Sequence, residues 1–183
     1  MAVRPVRLLG DPILRNRCQP VKKVRSAAVR VVADDLQDTL RALKAQHKMG
    51  RGLAAPQIGA PLRLVYIEID RPMFLVNPEI VDIGSEDFMV WDDCFSVPDL
   101  VVRVQRAHRA TVTYEDLAGR SHTIDAEGEL AELLQHEIDH LDGVLMVDRP
   151  AGLDPFCLKQ EWMKHYRDEG RHEAPTPRET VSV

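Results

Sequence analysis

The sequence predicts an α+β fold, and three observations support this class. Strand signals cluster between residues 62 and 127 with short links, which favours antiparallel pairing. Amphipathic helical patterns flank that cluster, and strands and helices do not alternate strictly. The 183 residues suffice for one hydrophobic core, so we expect one domain over residues 1–170. Residues 171–183 are expected to form a flexible C-terminal tail.

The first predicted element is a helix over residues 26–48, with Ser26 as its N-cap. Apolar residues recur in it at spacings of three and four, which places them on one helix face: Val29, Val32, Leu36, Leu40 and Leu43. The stretch GRGLAAPQIG at 50–59 follows. It has neither a helix period nor a strand period, and we expect a loop there.

Segments rich in Val and Ile predict the strands, at 62–69, 73–83, 100–104, 110–116 and 121–128. A turn is expected at 117–119. A second helix is predicted over 129–141, with Gly143 as its stop. A third helix is predicted from a cap at Asp154 to about residue 166.

Composition excludes several classes of function. The net charge of −5, without a dense Lys/Arg block, argues against nucleic-acid binding. No apolar run approaches the roughly 18 residues of a membrane span, and the first residues are too polar for a secretory signal. The three cysteines are widely spaced and odd in number: Cys18, Cys94 and Cys157. We therefore expect no disulfide framework and a cytoplasmic location.

The strongest chemical signal is QHEIDH at 135–140. His136 and His140 are four residues apart on a predicted helix, so both imidazoles project from one face and can bind one metal ion. Glu137 stands beside them as a proton carrier. Their spacing leaves the third ligand open.

Two residues are candidates for that third ligand. Cys94, in WDDCFSVPDL, offers a thiolate, and Glu161 would complete a zincin-type peptidase site. A metzincin is excluded, because Met146 stands where that pattern requires its last histidine.

Three motifs in order resemble the peptide deformylase family: GRGLAAPQ at 50–57, DDCFS at 92–96 and QHEIDH at 135–140. The early LLGDPILR and the stretch following AEG at 126–128 are also similar. The resemblance covers roughly residues 5 to 150. It implies a deformylase-like catalytic domain in which antiparallel sheets pack around a central HExxH helix.

The resemblance also implies a reaction, namely removal of the N-formyl group from the first methionine of a nascent protein. Cys94, His136 and His140 would hold Fe²⁺, for which Ni²⁺, Co²⁺ or Zn²⁺ may substitute. Glu137 would take a proton from the attacking water and pass it to the leaving amine. The Gln57 amide and the backbone N–H of Phe95 would stabilise the formyl oxygen.

The implied partners are N-formylated nascent peptides near the ribosome exit. We expect no direct contact with nucleic acid and no membrane attachment, and the protein to be a monomer or a weak homo-oligomer. Gly50 and Gly52 would let a substrate backbone approach and add as an extra strand. Around the metal, Asp92 is expected to pair with Arg106 or to form an exposed surface pair, and Asp139 to orient a ligand or face solvent.

The chain departs from the family pattern where the substrate side chain would bind. Asp93 replaces a glycine beside Cys94, and Arg51 replaces an apolar residue between Gly50 and Gly52. Glu129 and Glu132 stand where apolar residues would contact methionine. A charged pocket binds an apolar side chain poorly. These departures predict an altered first-residue preference, or a deformylase-like protein that has lost turnover.

Overall fold

A computed structural model of the protein describes residues 2–167, 172–173 and 175–178. Its helices are α1 (Ala27–His47), α2 (Glu129–Leu141) and α3 (Lys159–His165). Its strands are β1 (Gly52–Ala54), β2 (Leu64–Glu68), β3 (Pro72–Ile83), β4 (Glu86–Cys94), β5 (Val97–Ala107), β6 (Arg109–Glu115), β7 (Ser121–Glu127), β8 (Phe156–Leu158) and β9 (Thr176–Pro177).

The first helix forms where its sequence pattern predicts. The Ser26 hydroxyl accepts the backbone N–H of Val29 at 3.3 Å, and Lys48 ends the helix with a left-handed φ of 58°. Val29, Leu36 and Leu40 are buried and pack against β1 and β2. The amphipathic pattern therefore identified both the helix and the face that it buries.

Two antiparallel sheets make up the rest of the core. One has the order β1-β2-β3-β6-β7, and the other has the order β8-β5-β4-β9. Helix α2 contacts β1, β6 and β7 of the first sheet and β5 of the second. The predicted α+β class, with antiparallel sheets around a central HExxH helix, is confirmed.

Strand β4 was not predicted from the sequence. Asp87 and Asp92 lie on opposite faces of this strand, and both are buried although charged. Arg178 lies 2.6 Å from Asp87, and Arg106 lies 3.0 Å from Asp92. These distant arginines compensate the buried carboxylates, so the apolar alternation that marks a half-buried strand is interrupted.

The Gly-rich stretch and the third helix need correction. Residues 52–54 form the short strand β1, which pairs with β2, and Ala55–Ile58 form a 3₁₀ turn. Three residues are too few to display a strand period. Asp154 is not a helix cap, since it has a left-handed φ of 49°. Residues 156–158 pair with β5 instead, and α3 begins at Lys159.

Part of the expected tail lies against the second sheet. Thr176 and Pro177 pair with β4, and the Arg178 guanidinium bonds Asp87. At these residues the chain is attached to the fold and not a free tail. The remainder of the predicted tail lies outside the described residues, and the division at residue 170 stays a prediction. No helix of the described ranges is both long and apolar enough to cross a membrane.

Candidate active site

Three side chains converge where β4 meets α2. Cys94 is the last residue of β4, before the two-residue turn into β5, and His136 and His140 lie on one face of α2. The Cys94 Sγ is 3.3 Å from the Nε2 of His140, which is 3.2 Å from the Nε2 of His136. All three ligand atoms lie within 4.8 Å of one another, and all three residues are buried.

The Asp92 carboxylate orients His136. It lies 2.9 Å from Nδ1 of that imidazole, and a carboxylate only accepts, so Nδ1 carries the proton and Nε2 points at Cys94 and His140. Burial alone would lower the pKa of His136, but the charge of Asp92 holds that pKa well above its usual value. The site thus favours a positive charge on this ring, either a proton or a metal ion.

His140 supplies a neutral ring to the same point. Burial holds its pKa well below the usual value, and the charge of His136 adds to this effect. A neutral imidazole is the form that binds metals. A soft sulfur and two imidazole nitrogens, buried and aimed at one point, form a donor set that fits Zn²⁺, Fe²⁺ or a similar divalent ion.

Arg106 ties this site to its surroundings. Only 3% of the residue is exposed, and it bonds both Asp92 and Asp139. Arg149 also holds Asp139, at 2.7 Å. The expected pairing of Asp92 with Arg106 is confirmed, and the alternative of an exposed surface pair is wrong. Asp139 contacts these two arginines; it neither bonds a histidine ligand nor faces open solvent.

Glu137 lies beside the cluster with an unusual environment for a carboxylate. It is buried, and Oε2 has no hydrogen-bond partner among the described residues. Burial raises its pKa to about 7. The carboxylate occupies the space that a Cβ at position 52 would need, so Gly52 is required for Glu137 to stand there.

Hydrogen bonds fix the orientation of Gln57. Its Oε1 accepts the Ala54 N–H at 2.8 Å, so its NH₂ group faces the other way and donates to Ser96 Oγ at 3.2 Å and Cys94 Sγ at 3.4 Å. The Phe95 ring fills the space beside Gly50. A Cβ added at Gly50 would lie 2.6 Å from that ring, and the φ of 113° also disfavours a side chain. Gln57 and Phe95 therefore both flank Cys94.

The charged departures from the family pattern lie on the walls of the same cleft. Arg51 Nη2 is 2.5 Å from Glu132 Oε2, and Glu132 is 2% exposed. Glu129 is 72% exposed, so it does not line a closed pocket. Asp93 has an ordinary strand conformation and bonds Lys159 at 3.0 Å, so no positive φ is required at that position.

Glu161 is not part of the metal cluster. Its carboxylate is 40% exposed and bonds Lys164 and His165 on the same helix. The zincin-type alternative therefore lacks its third ligand.

Comparison with known proteins agrees with this geometry. Residues 3–155 match the family model described as polypeptide deformylase. A peptide deformylase of Dictyoglomus thermophilum is 40% identical over 148 residues, which cover 80% of this chain and 92% of that protein. The chain belongs to the polypeptide deformylase family. The members of this family are metal-dependent enzymes that remove N-formyl groups from nascent peptides.

Solved deformylases share the fold. The crystal structure of the Thermotoga maritima peptide deformylase superposes with a TM-score of 0.76 at 33% identity, covering 83% of this chain and 100% of that one. A class I type b deformylase of Acinetobacter baumannii, with Met-Ala-Ser bound, gives 0.73 at 31% identity, covering 81% and 98%. The resemblance of the three motifs to deformylases is confirmed.

Some residues of the site have no signal in the sequence. Ser96 bonds Gln57, Lys159 bonds Asp93, and Arg149 bonds Asp139. Each of these contacts joins segments that are distant along the chain or carries no recognisable spacing. Ser96 belongs to the DDCFS motif, but the motif does not indicate what this serine does.

Proposed function

We propose that this chain removes the formyl group from the N-terminal formyl-methionine of newly made polypeptides by hydrolysis. The observation that carries the proposal is the convergence of Cys94, His136 and His140 beside Glu137, whose free carboxylate oxygen is buried. The family membership supports the same reaction.

Cys94, His136 and His140 would hold the metal. We propose Fe²⁺ as the resident ion, with Ni²⁺, Co²⁺ or Zn²⁺ as substitutes, because thiolate and imidazole suit all four. When bound there, a divalent metal ion supplies Lewis acidity that lowers the pKa of water and polarises a carbonyl oxygen.

Glu137 would carry the proton. Its buried carboxylate, with a pKa of about 7 in the absence of metal, can both accept and return a proton near neutral pH. It would take a proton from the attacking water and deliver it to the amine nitrogen as the C–N bond breaks. The products are formate and a polypeptide with a free N-terminus.

Gln57 and Phe95 would stabilise the negative charge that develops on the formyl oxygen. The hydrogen bond from Ala54 turns the Gln57 NH₂ group toward Cys94, so the donor is oriented before substrate binds. The backbone N–H of Phe95, next to Cys94, would be the second donor. Loss of one such donor typically lowers the rate by about 10²-fold or more.

The substrate backbone would pair with β1. This strand is at the edge of its sheet, and Gly50 and Gly52 stand at its entry and beside Glu137. A relative crystallised with Met-Ala-Ser supports a short peptide as the bound form. We propose that the substrates are nascent chains near the ribosome exit in the cytoplasm, met by a monomer or a weak homo-oligomer.

The test is formate release from formyl-Met-Ala-Ser by anaerobically prepared Fe²⁺ protein. Glu137→Gln keeps the shape of the side chain but cannot carry the proton. It should retain metal and fold while activity falls by about 10²-fold or more. Cys94→Ala should lose metal, measured by elemental analysis after dialysis. Bound metal without formate from any formyl peptide would indicate a deformylase-like protein that has lost turnover.

A further inference from the structure

An ion pair closes one side of the cleft next to the metal ligands. The Arg51 side chain crosses from the start of β1 to α2, where Nη2 meets Glu132 and Nη1 lies 3.4 Å from the Glu129 carbonyl. Glu132 stands one helical turn before His136. Arg51 and Glu132 line the same cleft as His136 and Glu137. The pair is therefore close to the reacting groups.

The two charges of the pair differ in exposure. The Glu132 side chain is 2% exposed, whereas that of Arg51 is 29% exposed. The Glu132 carboxylate is thus covered by the Arg51 guanidinium and by the His172 ring, 4.0 Å away, and Arg51 is the more exposed member of the ion pair in the cleft. A guanidinium has five N–H donors in a fixed fork, more than Glu132 and the Glu129 carbonyl can occupy. Arg51 can therefore donate to an acceptor in the cleft.

The geometry of the proposed reaction brings the first side chain to this pair. The formyl carbon must lie next to the metal ion that Cys94, His136 and His140 would hold, and the peptide must continue along the edge of β1. The side chain of the formylated residue branches from its Cα, two bonds from that carbon. It then has α2 on one side, at Glu132 and Leu133, and Arg51 on the other, and all three line the cleft.

A methionine side chain satisfies this environment poorly. Its thioether is a weak acceptor, so it would displace solvent from Arg51 without replacing the hydrogen bond. Methionine sulfoxide has the same chain length and carries a polar oxygen that accepts hydrogen bonds. Leu133, which is buried, offers apolar contact to the methylene groups of either form.

We infer that Arg51, held by Glu132, makes this enzyme select N-formyl peptides whose first side chain carries a neutral acceptor oxygen, with N-formylmethionine sulfoxide as the matching form of the initiator residue. This inference rests on the proposed function, because it assigns the substrate of that same site. Arg51 is the specificity-determining residue, and Glu132 positions it.

The test compares kcat/KM for formyl-X-Ala-Ser peptides in which X is methionine, norleucine, methionine sulfoxide or glutamine. In wild type, kcat/KM for at least one epimer of the methionine sulfoxide peptide should equal or exceed kcat/KM for the methionine peptide. In Arg51→Leu/Glu132→Ile the ratio of sulfoxide to methionine should fall about tenfold or more, the scale of one hydrogen bond to a charged donor. In the same variant, kcat/KM for the glutamine peptide relative to the methionine peptide should also fall, whereas kcat/KM for the norleucine peptide should rise.

A matched control removes another ion pair with the same substitutions. Arg109 and Glu127 lie 3.2 Å apart on β6 and β7 and do not line the cleft. Arg109→Leu/Glu127→Ile should leave the ratio unchanged. A wild-type preference for methionine over both sulfoxide epimers of tenfold or more would overturn the inference, and so would a ratio that is equal in wild type and the cleft variant.

Binding of the product peptides separates this inference from the proposed function. Calorimetry with Met-Ala-Ser and its sulfoxide needs no turnover. Tighter binding of the sulfoxide in wild type, lost in Arg51→Leu/Glu132→Ile, supports the specificity even if no peptide releases formate. If formate is released but methionine is preferred and binds more tightly, the proposed function holds and the inference fails. The wild-type measurements decide the matter even if the double variant does not fold.

Discussion

Two buried carboxylates next to the metal cluster have opposite environments. Burial by itself would raise the pKa of Asp92, but the charges of His136 and Arg106 hold that pKa below its usual value. At Glu137, burial outweighs the charges of His136 and Arg51 and raises the pKa to about 7. Asp92 therefore stays ionised and orients a ligand, while Glu137 can exchange a proton. The environment of each residue separates the two roles.

Gly52 leaves the space that the Glu137 carboxylate occupies, so a side chain at position 52 should impair catalysis. In Gly52→Ala the added Cβ would meet the Glu137 carboxylate and approach its Cγ to 3.1 Å, so the carboxylate must move. We expect kcat for formyl peptides to fall by about tenfold or more with metal content retained. Steady-state kinetics and elemental analysis are the measurements.

Gly84→Ala is the matched control. There the new Cβ would meet the Cβ of Arg109 at 3.0 Å, away from the cleft. Both variants should lose some stability, about 1–3 kcal/mol for overpacking, but only Gly52→Ala should lose activity. Normal kcat in a metal-loaded Gly52→Ala protein would show that Glu137 need not occupy its present position.

Among the elements, α1 holds the N-terminal segment against the cleft. Asp35 on this helix accepts the Ala2 N–H at 2.8 Å and the Arg4 Nε–H at 2.8 Å, and Thr39 accepts the Arg4 backbone N–H at 2.9 Å. Arg4 lines the cleft. The helix thus positions a segment that lies 31 or more residues away along the chain.

The stability contributed by Asp35 should depend on pH. Burial alone would raise its pKa, but hydrogen bonds from Arg4 and Ala2 together bring the pKa below its usual value. Because the folded-state pKa is depressed, the contribution is complete above the unfolded-state value of about 3.9 and disappears as pH falls through the folded-state pKa. Asp35→Asn should cost about 1–3 kcal/mol near pH 7, and this cost should shrink below about pH 4.

Urea unfolding of wild type and variant across pH 3 to 7 measures this cost. Asp34→Asn, at the next position on the same helix, is the control and should show a smaller cost. A cost for Asp35→Asn that is constant across this range would mean that the loss of an acceptor oxygen, and not the charge, explains the contribution.

At the scale of the whole molecule, Arg106 joins the second sheet to the central helix. It lies on β5, and it bonds Asp92 on β4 and Asp139 on α2. Cys94 reaches the two histidines only because these elements meet. Since Arg106 is buried with its partners, it also neutralises charge in the interior.

Removal of the Arg106 guanidinium should lower both the stability of the fold and the affinity for the metal ion. Arg106→Leu breaks a buried ion pair and leaves His136 as the remaining partner of Asp92, and the loss of such a pair typically costs about 3–5 kcal/mol. It also weakens the orientation of His136, and such outer contacts are typically worth about 10- to 100-fold in metal affinity. Thermal unfolding and competition with a chelator measure the two effects. Arg109→Leu, at an exposed position, should change stability by less than about 0.5 kcal/mol; equal effects of the two variants would contradict this account.

The parts of the fold that were predicted from the sequence have a local cause. Helix α1 follows from periodic apolar residues and the Ser26 cap, and helix α2 follows from periodic apolar residues and the stop at Gly143; both formed at the expected residues. Strand β4 was missed because distant Arg106 and Arg178 allow aspartates at two of its buried positions. The predicted start of α3 was wrong because the preceding residues pair with β5. Local helix propensity does not reflect a contact with a strand that is distant along the chain.

The sequence by itself determined the chemistry of this protein. The spacing of His136 and His140 on a helix, with Glu137 between them, brings two ligands and a proton carrier together through helix geometry alone. Only the tertiary structure decided that Cys94 and not Glu161 completes the cluster, and that Arg51 reaches back to cover Glu132. Those contacts join residues 42 to 81 positions apart. They depend on how the two sheets enclose α2, which no local pattern encodes.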